Sequence, residues 1–305
     1  MTLLDLHCHG ALGAEFGASE EGSRRAAAYH REQGVAVVAS LVSASRARLA
    51  EQVATLAPLV ADGTLLGIHL EGPCLSPARP GAHDPGALID PDPSLVDLLA
   101  EAAAAAGAPG AIVHWTFAPE RAGAADFIAA LVRHGIRPAI GHTDGDAATV
   151  GAAIDLITDA SGAPALITHL FNGMPPMHHR AGGPVAAALA AAARGEAIVE
   201  IIADGVHVAQ EMVAMVFDLI GAERIALISD AMTATGLGDG SYRLGSLDVD
   251  VSDGVARLLG GGSIAGSTST LAQCTAWARE VAGVPVEEVE RAAKATPAVV
   301  LTGRV

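Results

Sequence analysis

Cysteine, lysine and aromatic residues are all scarce in this chain. Three cysteines occur in 305 residues, Cys8, Cys74 and Cys274, with no C-x-x-C spacing and no even number to pair. That excludes a disulfide framework and points to a reducing compartment, the cytoplasm. Aromatics make up 3% of the chain, so Ala, Val, Leu and Ile must fill whatever core it buries. Basic residues number 18 against 34 acidic ones, for a net charge of -16. Nucleic acid and anionic membranes both require a basic face, so neither is an expected partner. An anionic small molecule requires a local Arg, His or backbone N–H pocket that overrides the global field. No apolar run approaches the roughly 18 residues of a membrane span, and the N-terminus lacks the basic and apolar regions of a signal peptide.

What the chain does contain is regular alternation. Short β-branched runs predict strands at Leu3–Cys8, Val35–Val42, Leu65–Leu70, Ala111–Phe117, Arg137–Gly141, Ala165–His169, Ala197–Ala203 and Arg224–Ser229. Helical segments rich in Ala, Leu, Glu and Arg separate them, and two more helices, Ser269–Val281 and Val286–Ala295, follow the last strand. Eight strands alternating with helices predict an α/β fold, a (β/α)8 TIM barrel, as one domain over residues 1–305. A doubly wound open sheet is the alternative. It accommodates less well the polar residues found at nearly every strand end. Tyr242–Leu259 alternates short β-like runs with Gly and Ser-Asp-Gly turns, predicting a small hairpin inserted after strand eight. The loop Pro73–Pro93, rich in proline, is expected to be an ordered part of the site.

Those strand-end residues carry the chemistry. His7 and His9 flank Cys8 on a strand, where side chains alternate faces, so both imidazoles point one way and Cys8 the other. Glu71 closes H-L-E-G-P, where an unpaired buried carboxylate would be costly and calls for a cation. His142 in G-H-T and His169 in T-H-L add two more imidazoles. With Glu71 they form the two-histidine, one-carboxylate set of a catalytic metal that keeps a position open. Asp230, in S-D-A, can take a proton from an attacking water and pass it to a leaving amine. His69 and His114 read as structural, His178 and His179 as surface histidines, Cys8 as core filler, and Cys74 as partly exposed at best. The lone lysine, Lys294, sits in the C-terminal helical region, which excludes a metal bridge made by a carbamylated strand lysine.

In order and approximate spacing, H-C-H-G, H-L-E-G-P, G-H-T, T-H-L-F-N-G-M, D-G-V-H, S-D-A-M and I-A-G-S resemble the N-acetylglucosamine-6-phosphate deacetylase family of the amidohydrolase superfamily. The resemblance spans Leu4 to Pro297. It implies removal of the acetyl group from N-acetyl-D-glucosamine 6-phosphate, with one or two divalent ions per subunit, zinc first among them. Glu71, His142 and His169 would bind the principal ion, and His7 and His9, with Glu71 as bridge, a second. By the same resemblance Asp230 is the acid/base and His83 polarises the acetyl carbonyl. Asn172 and Gly173 would offer backbone contacts to phosphate, His207 binds substrate, and Arg180 serves the phosphate of a neighbouring subunit in a homodimer. Two departures stand out. Gly173 replaces the family's usual Ala, and the terminal segments that build a β-sandwich in family members are absent, which reads as a barrel-only form. The alternatives are a deacylase of an unphosphorylated or differently acylated amino sugar, and a non-catalytic metal-binding paralogue.

Overall fold

A computed structural model describes residues 2–260 and 262–303. Met1, Gly261 and residues 304–305 of the expected single domain lie outside that range. The expected strands form: β1 (Leu3–Cys8), β2 (Val35–Leu41), β3 (Gly67–Glu71), β4 (Ile112–Phe117), β5 (Arg137–Ile140), β6 (Ala165–Ile167), β7 (Ala197–Ile202) and β8 (Ile225–Ile228). They lie side by side in sequence order, all parallel, with registers such as Leu4 beside Ala36 and His114 beside Arg137. Helices connect them: α1 (Glu20–Glu32), α2 (Arg46–Ala61), α3 (Pro93–Ala105), α4 (Ala124–Arg133), α5 (Ala147–Ser161), α6 (Gly183–Arg194) and α7 (Gln210–Ile220). Eight parallel strands with helices between them make a nearly closed (β/α)8 barrel.

The helix starts follow local chemistry. Ser19, Ser45, Asp92 and Asp146 each accept a backbone N–H from the first turn, satisfying donors the helix itself cannot use. Ala- and Leu-rich helix faces then pack on the outer faces of the strands, where Val37, Leu41, Leu56, Leu70, Leu99 and Ile140 belong to one large core cluster. A second, smaller cluster draws on every barrel strand but β3, through residues such as Leu6, Val38, Leu166 and Ile198, and therefore fills the barrel interior.

The barrel closes between β1 and β8 by a seam that is partly side chain. Asp230 N–H donates to His7 O at 2.9 Å and His9 N–H to Ala231 O at 2.7 Å. Deeper in the seam the fully buried Asp5 carboxylate replaces missing ladder bonds. It accepts Ser229 N–H at 3.1 Å, Ser229 Oγ–H at 2.6 Å and His7 N–H at 3.3 Å. Burial raises the Asp5 pKa to about 6 despite those donors.

The insertion after β8 is larger than the expected hairpin. It is a three-stranded antiparallel meander, β9 (Gly240–Leu244), β10 (Leu247–Ser252) and β11 (Val255–Leu258). Two turns are encoded, at Gly245-Ser246 and Asp253-Gly254, and each reverses the chain. Leu244, Val249, Val251 and Ala256 pack with Val42 and Met232 in a cluster of their own beside the barrel mouth. At the other end of the chain α8 (Leu271–Glu280) and α9 (Val286–Glu290) match expectation. The helical path then continues through a π turn, Arg291–Ala295, into α10 (Thr296–Thr302). No helix among the described residues is long and apolar enough to cross a membrane.

Candidate metal centre and active site

The strands deliver their terminal polar residues to one mouth. His7 comes from β1 and His9 directly follows it, Glu71 comes from β3, His142, His169 and Asp230 from the turns after β5, β6 and β8, and all six are buried. His142, His169 and Asp230 each have a positive φ (46°, 29° and 52°), a conformation that costs a non-glycine residue of order 1–3 kcal/mol. The turn aims each side chain across the barrel mouth, where an extended residue would continue up the strand.

Glu71 divides the donor atoms into two sets. Its Oε1 lies 3.0 Å from His142 Nε2 and 2.9 Å from His169 Nε2, and those two nitrogens are 3.1 Å apart. Its Oε2 lies 3.1 Å from His9 Nε2 and 3.4 Å from His7 Nε2. The second set is completed by Asp230 Oδ1, 3.2 Å from His9 Nε2 and 3.5 Å from His7 Nε2. Ligand atoms about 2.0–2.2 Å from a shared zinc ion stand about 3.3 Å apart, so both sets have metal-ligand spacing.

The tautomers support the same fit. His142 Nδ1 donates to the Arg79 carbonyl at 2.9 Å, and a carbonyl can only accept. With the proton fixed on Nδ1, Nε2 is the ring atom available to a metal ion beside the Glu71 carboxylate. The second set also draws positive charge. Burial opposes charge on the rings, but Glu71 and Asp230 override it, pushing His7 well above its usual pKa and His9 to about 9. Burial opposes ionisation of Asp230 too, yet His7 and His9 hold it down at about 2.

His83 also approaches Glu71 Oε2, at 3.4 Å through Nε2, and with Glu71 and His142 it is within reach of a common ion. Its hydrogen bond argues for another use. Ser43 N–H donates to His83 Nδ1 at 3.1 Å, so the ring proton sits on Nε2, and burial lowers the ring's pKa to about 4. His83 is thus a neutral hydrogen-bond donor facing the cavity.

The cavity above these residues measures about 460 Å³ and is lined by His9, Glu71, His83, His142, His169, Asn172, Gly173, His207 and Asp230 among others. His207 stands opposite the metal-ligand sets. Its Nδ1 pairs with Asp204 Oδ2 at 2.8 Å, and Asp204 also accepts Ser267 Oγ–H and two backbone N–H groups. Burial opposes the charge, but Asp204 outweighs it and raises the His207 pKa. Asn172 spends its backbone N–H on His169 O, at 3.0 Å, whereas Gly173 N–H makes no backbone hydrogen bond among the described residues. Gly173 and Gly81 flank the His142 ring, and a Cβ on either would fall 2.9 Å or 2.7 Å from it. The glycine at 173 thereby acquires a packing reason.

Arg180 does not join the cavity. It is exposed on the 178–181 turn with His178 and His179. His69 is structural as expected, hydrogen-bonded at both nitrogens to Ser40 and Thr116. Cys8 packs outward against His30. Cys74 is fully buried, not partly exposed, because the 73–93 loop folds down over it.

Sequence reasoning missed Asp5, Glu200, Asp204 and Ser43. Glu200 and Asp5 had a signal, since each is a lone carboxylate inside an apolar strand run. Ser43 had none, because its contribution is a backbone N–H.

No family model matches the chain. The N-acetylglucosamine-6-phosphate deacetylase of Vibrio furnissii is 35% identical to it, over 97% of this chain and 72% of the relative. The chain belongs to the N-acetylglucosamine-6-phosphate deacetylase family. The Bacillus subtilis (strain 168) member is 37% identical over 87% of this chain and 65% of its own length. Among solved structures, a Mycobacterium smegmatis member, an aspartate-to-alanine mutant in complex with N-acetyl-D-glucosamine-6-phosphate, superimposes with a TM-score of 0.91. The pair are 42% identical over 98% of this chain and 77% of that one. A Thermotoga maritima member gives a TM-score of 0.86 at 29% identity, over 99% of this chain and 79% of that one. The chain thus spans between about two thirds and four fifths of these family members' lengths.

Proposed function

We propose that this barrel is a metal-dependent amidase that converts N-acetyl-D-glucosamine 6-phosphate to glucosamine 6-phosphate and acetate. The observation that carries the reading is the pairing of two metal-ligand sets about Glu71 with a neutral donor, His83, and a carboxylate, Asp230, at the same cavity. Glu71, His142 and His169 would hold the principal ion and His7 and His9 a second, with zinc the metal of choice for this nitrogen and carboxylate set. A bound divalent cation supplies carbonyl polarisation and acidifies an attacking water.

The chain's own residues do the rest. His83 Nε2–H donates to the acetyl oxygen as negative charge develops there. Asp230, held as a carboxylate, takes the proton of the attacking water and returns it to the departing sugar nitrogen. His207, whose charged form Asp204 favours, and the Gly173 N–H face the cavity as anion donors for the 6-phosphate. Arg180 points outward, which fits a homodimer in which it serves the partner subunit's phosphate. The three free, buried cysteines and a sugar-phosphate substrate suit the cytoplasm.

A coupled assay of acetate release, run with the phosphorylated and unphosphorylated sugar and paired with elemental analysis for metal, tests the reading. The expected result is turnover of the phosphorylated sugar by protein that carries metal. Metal-loaded protein inert toward both sugars would overturn it. The exposure of Arg180 gives the unphosphorylated sugar a specific claim as second reading. Equal kcat/KM for the two sugars, unchanged in Arg180→Ala, would favour that alternative.

A further inference from the structure

Below the cavity, behind the His7 ring, lies a carboxylate that none of these roles uses. Glu200 interrupts the apolar run of β7, A-I-V-E-I-I, and is fully buried. Its Oε2 lies 3.3 Å from His7 Nδ1 and accepts the His169 backbone N–H at 3.3 Å. Its Oε1 has no hydrogen-bond partner, and His114 Nε2 stands 3.9 Å away. A buried carboxylate with so little support carries a desolvation cost of several kcal/mol unless positive charge answers it. Besides the His169 backbone, the His7 ring links Glu200 to the mouth, with Nδ1 toward Glu200 and Nε2 toward Glu71, His9 and Asp230.

We propose that Glu200 is a positioning residue that acts through His7 to complete the second ion site. The inference rests on the metal-centre reading above. An acceptor at Nδ1 holds the ring proton there and leaves the Nε2 lone pair facing the Glu71, His9 and Asp230 oxygens and nitrogen. A carboxylate in that place also makes the imidazole a stronger donor than a neutral acceptor would. The support is one-sided. His142 Nδ1 donates to a neutral carbonyl, and the Nδ1 atoms of His9 and His169 have no protein partner. Glu71, Asp230 and Glu200 together bring three negative charges to the cluster. A single divalent cation leaves that total negative.

Glu200→Gln tests this, because the amide keeps an acceptor and nearly the same shape while losing the charge. Metal-stripped full-length protein is titrated with zinc by calorimetry, and bound zinc is counted after dialysis. Thermal melting of the metal-free forms shows whether the variant folds. Wild type is expected to bind two ions. Glu200→Gln is expected to bind one with wild-type affinity and the other about 10- to 100-fold more weakly. In a His7→Ala background, adding Glu200→Gln should weaken the second ion no further. Unchanged affinity of both ions in Glu200→Gln, equal loss at both, or a further loss in the His7→Ala background would overturn the role of Glu200. A wild type that binds one ion overturns the role of Glu200 and leaves the principal ion site standing. A wild type that binds no zinc overturns the metal-centre reading as well.

Discussion

The Ser43 backbone N–H, 3.1 Å from His83 Nδ1, decides which nitrogen of His83 carries its proton. That single contact separates His83 from the four histidines whose nitrogens form the two metal-ligand sets at Glu71. All five lie within a few ångströms of one carboxylate, yet only His83 has its Nδ1 occupied by a backbone N–H donor.

Removing the His83 Nε2–H donor should therefore cost rate and leave metal binding alone. His83→Ala is expected to lower kcat by about 10²–10³-fold, the usual effect of losing one oxyanion donor, with metal content as in wild type. A loss of metal measured by elemental analysis would return His83 to the ligand set.

Asp230→Asn preserves shape and removes the base. It should fold, with an unchanged circular dichroism spectrum, and bind the principal ion, yet turn over about 10²–10⁴-fold more slowly. Near-normal turnover would assign the proton transfers to another group.

His207 predicts an alkaline limit on substrate capture. Asp204 raises its pKa, so the ring is cationic below that raised value and loses its charge as pH rises through it. The kcat/KM for the phosphorylated sugar should fall across that range, mainly through KM. In Asp204→Asn the fall should move to lower pH. A pH profile unaltered by Asp204→Asn would remove His207 from phosphate binding.

Gly81 has φ +56° and lies against the His142 ring. Gly81→Ala should cost about 1–3 kcal/mol through backbone strain and push the ring off its Arg79 anchor. Weaker binding of the principal ion, read by zinc titration, is the expected result. Unchanged affinity would mean that the ring tolerates the shift.

Asp5→Ala leaves Ser229 N–H, Ser229 Oγ–H and His7 N–H without their acceptor at the barrel seam. Each orphaned buried donor costs about 1–3 kcal/mol, so chemical denaturation should show a loss of several kcal/mol. A variant as stable as wild type would show that water substitutes at the seam.

Much of this was legible in one dimension. Apolar runs of strand length between Ala- and Leu-rich helices predict the barrel because alternation and periodicity are local properties. His7, His9, Glu71, His142, His169 and Asp230 were visible because a polar residue closing an apolar run must face something polar. The meander was underestimated by one strand because its Ser-Asp-Gly turn and the Gly245-Ser246 turn were read as a single hairpin. Arg180, expected to serve a neighbouring subunit, lies on an exposed turn of this one.

The sequence alone determined the fold, the residues that gather at the mouth, and, through its single lysine, the absence of a carbamate bridge. Only the tertiary structure decided what each histidine can do. A histidine's role depends on which nitrogen holds the proton, and partners remote in the chain set that: Ser43 for His83, Arg79 for His142, Glu200 for His7 and, more locally, Asp204 for His207. Those partners contribute through backbone amides, carbonyls and carboxylates buried in other strands and loops. Their effect depends on distance and direction, which residue order does not specify.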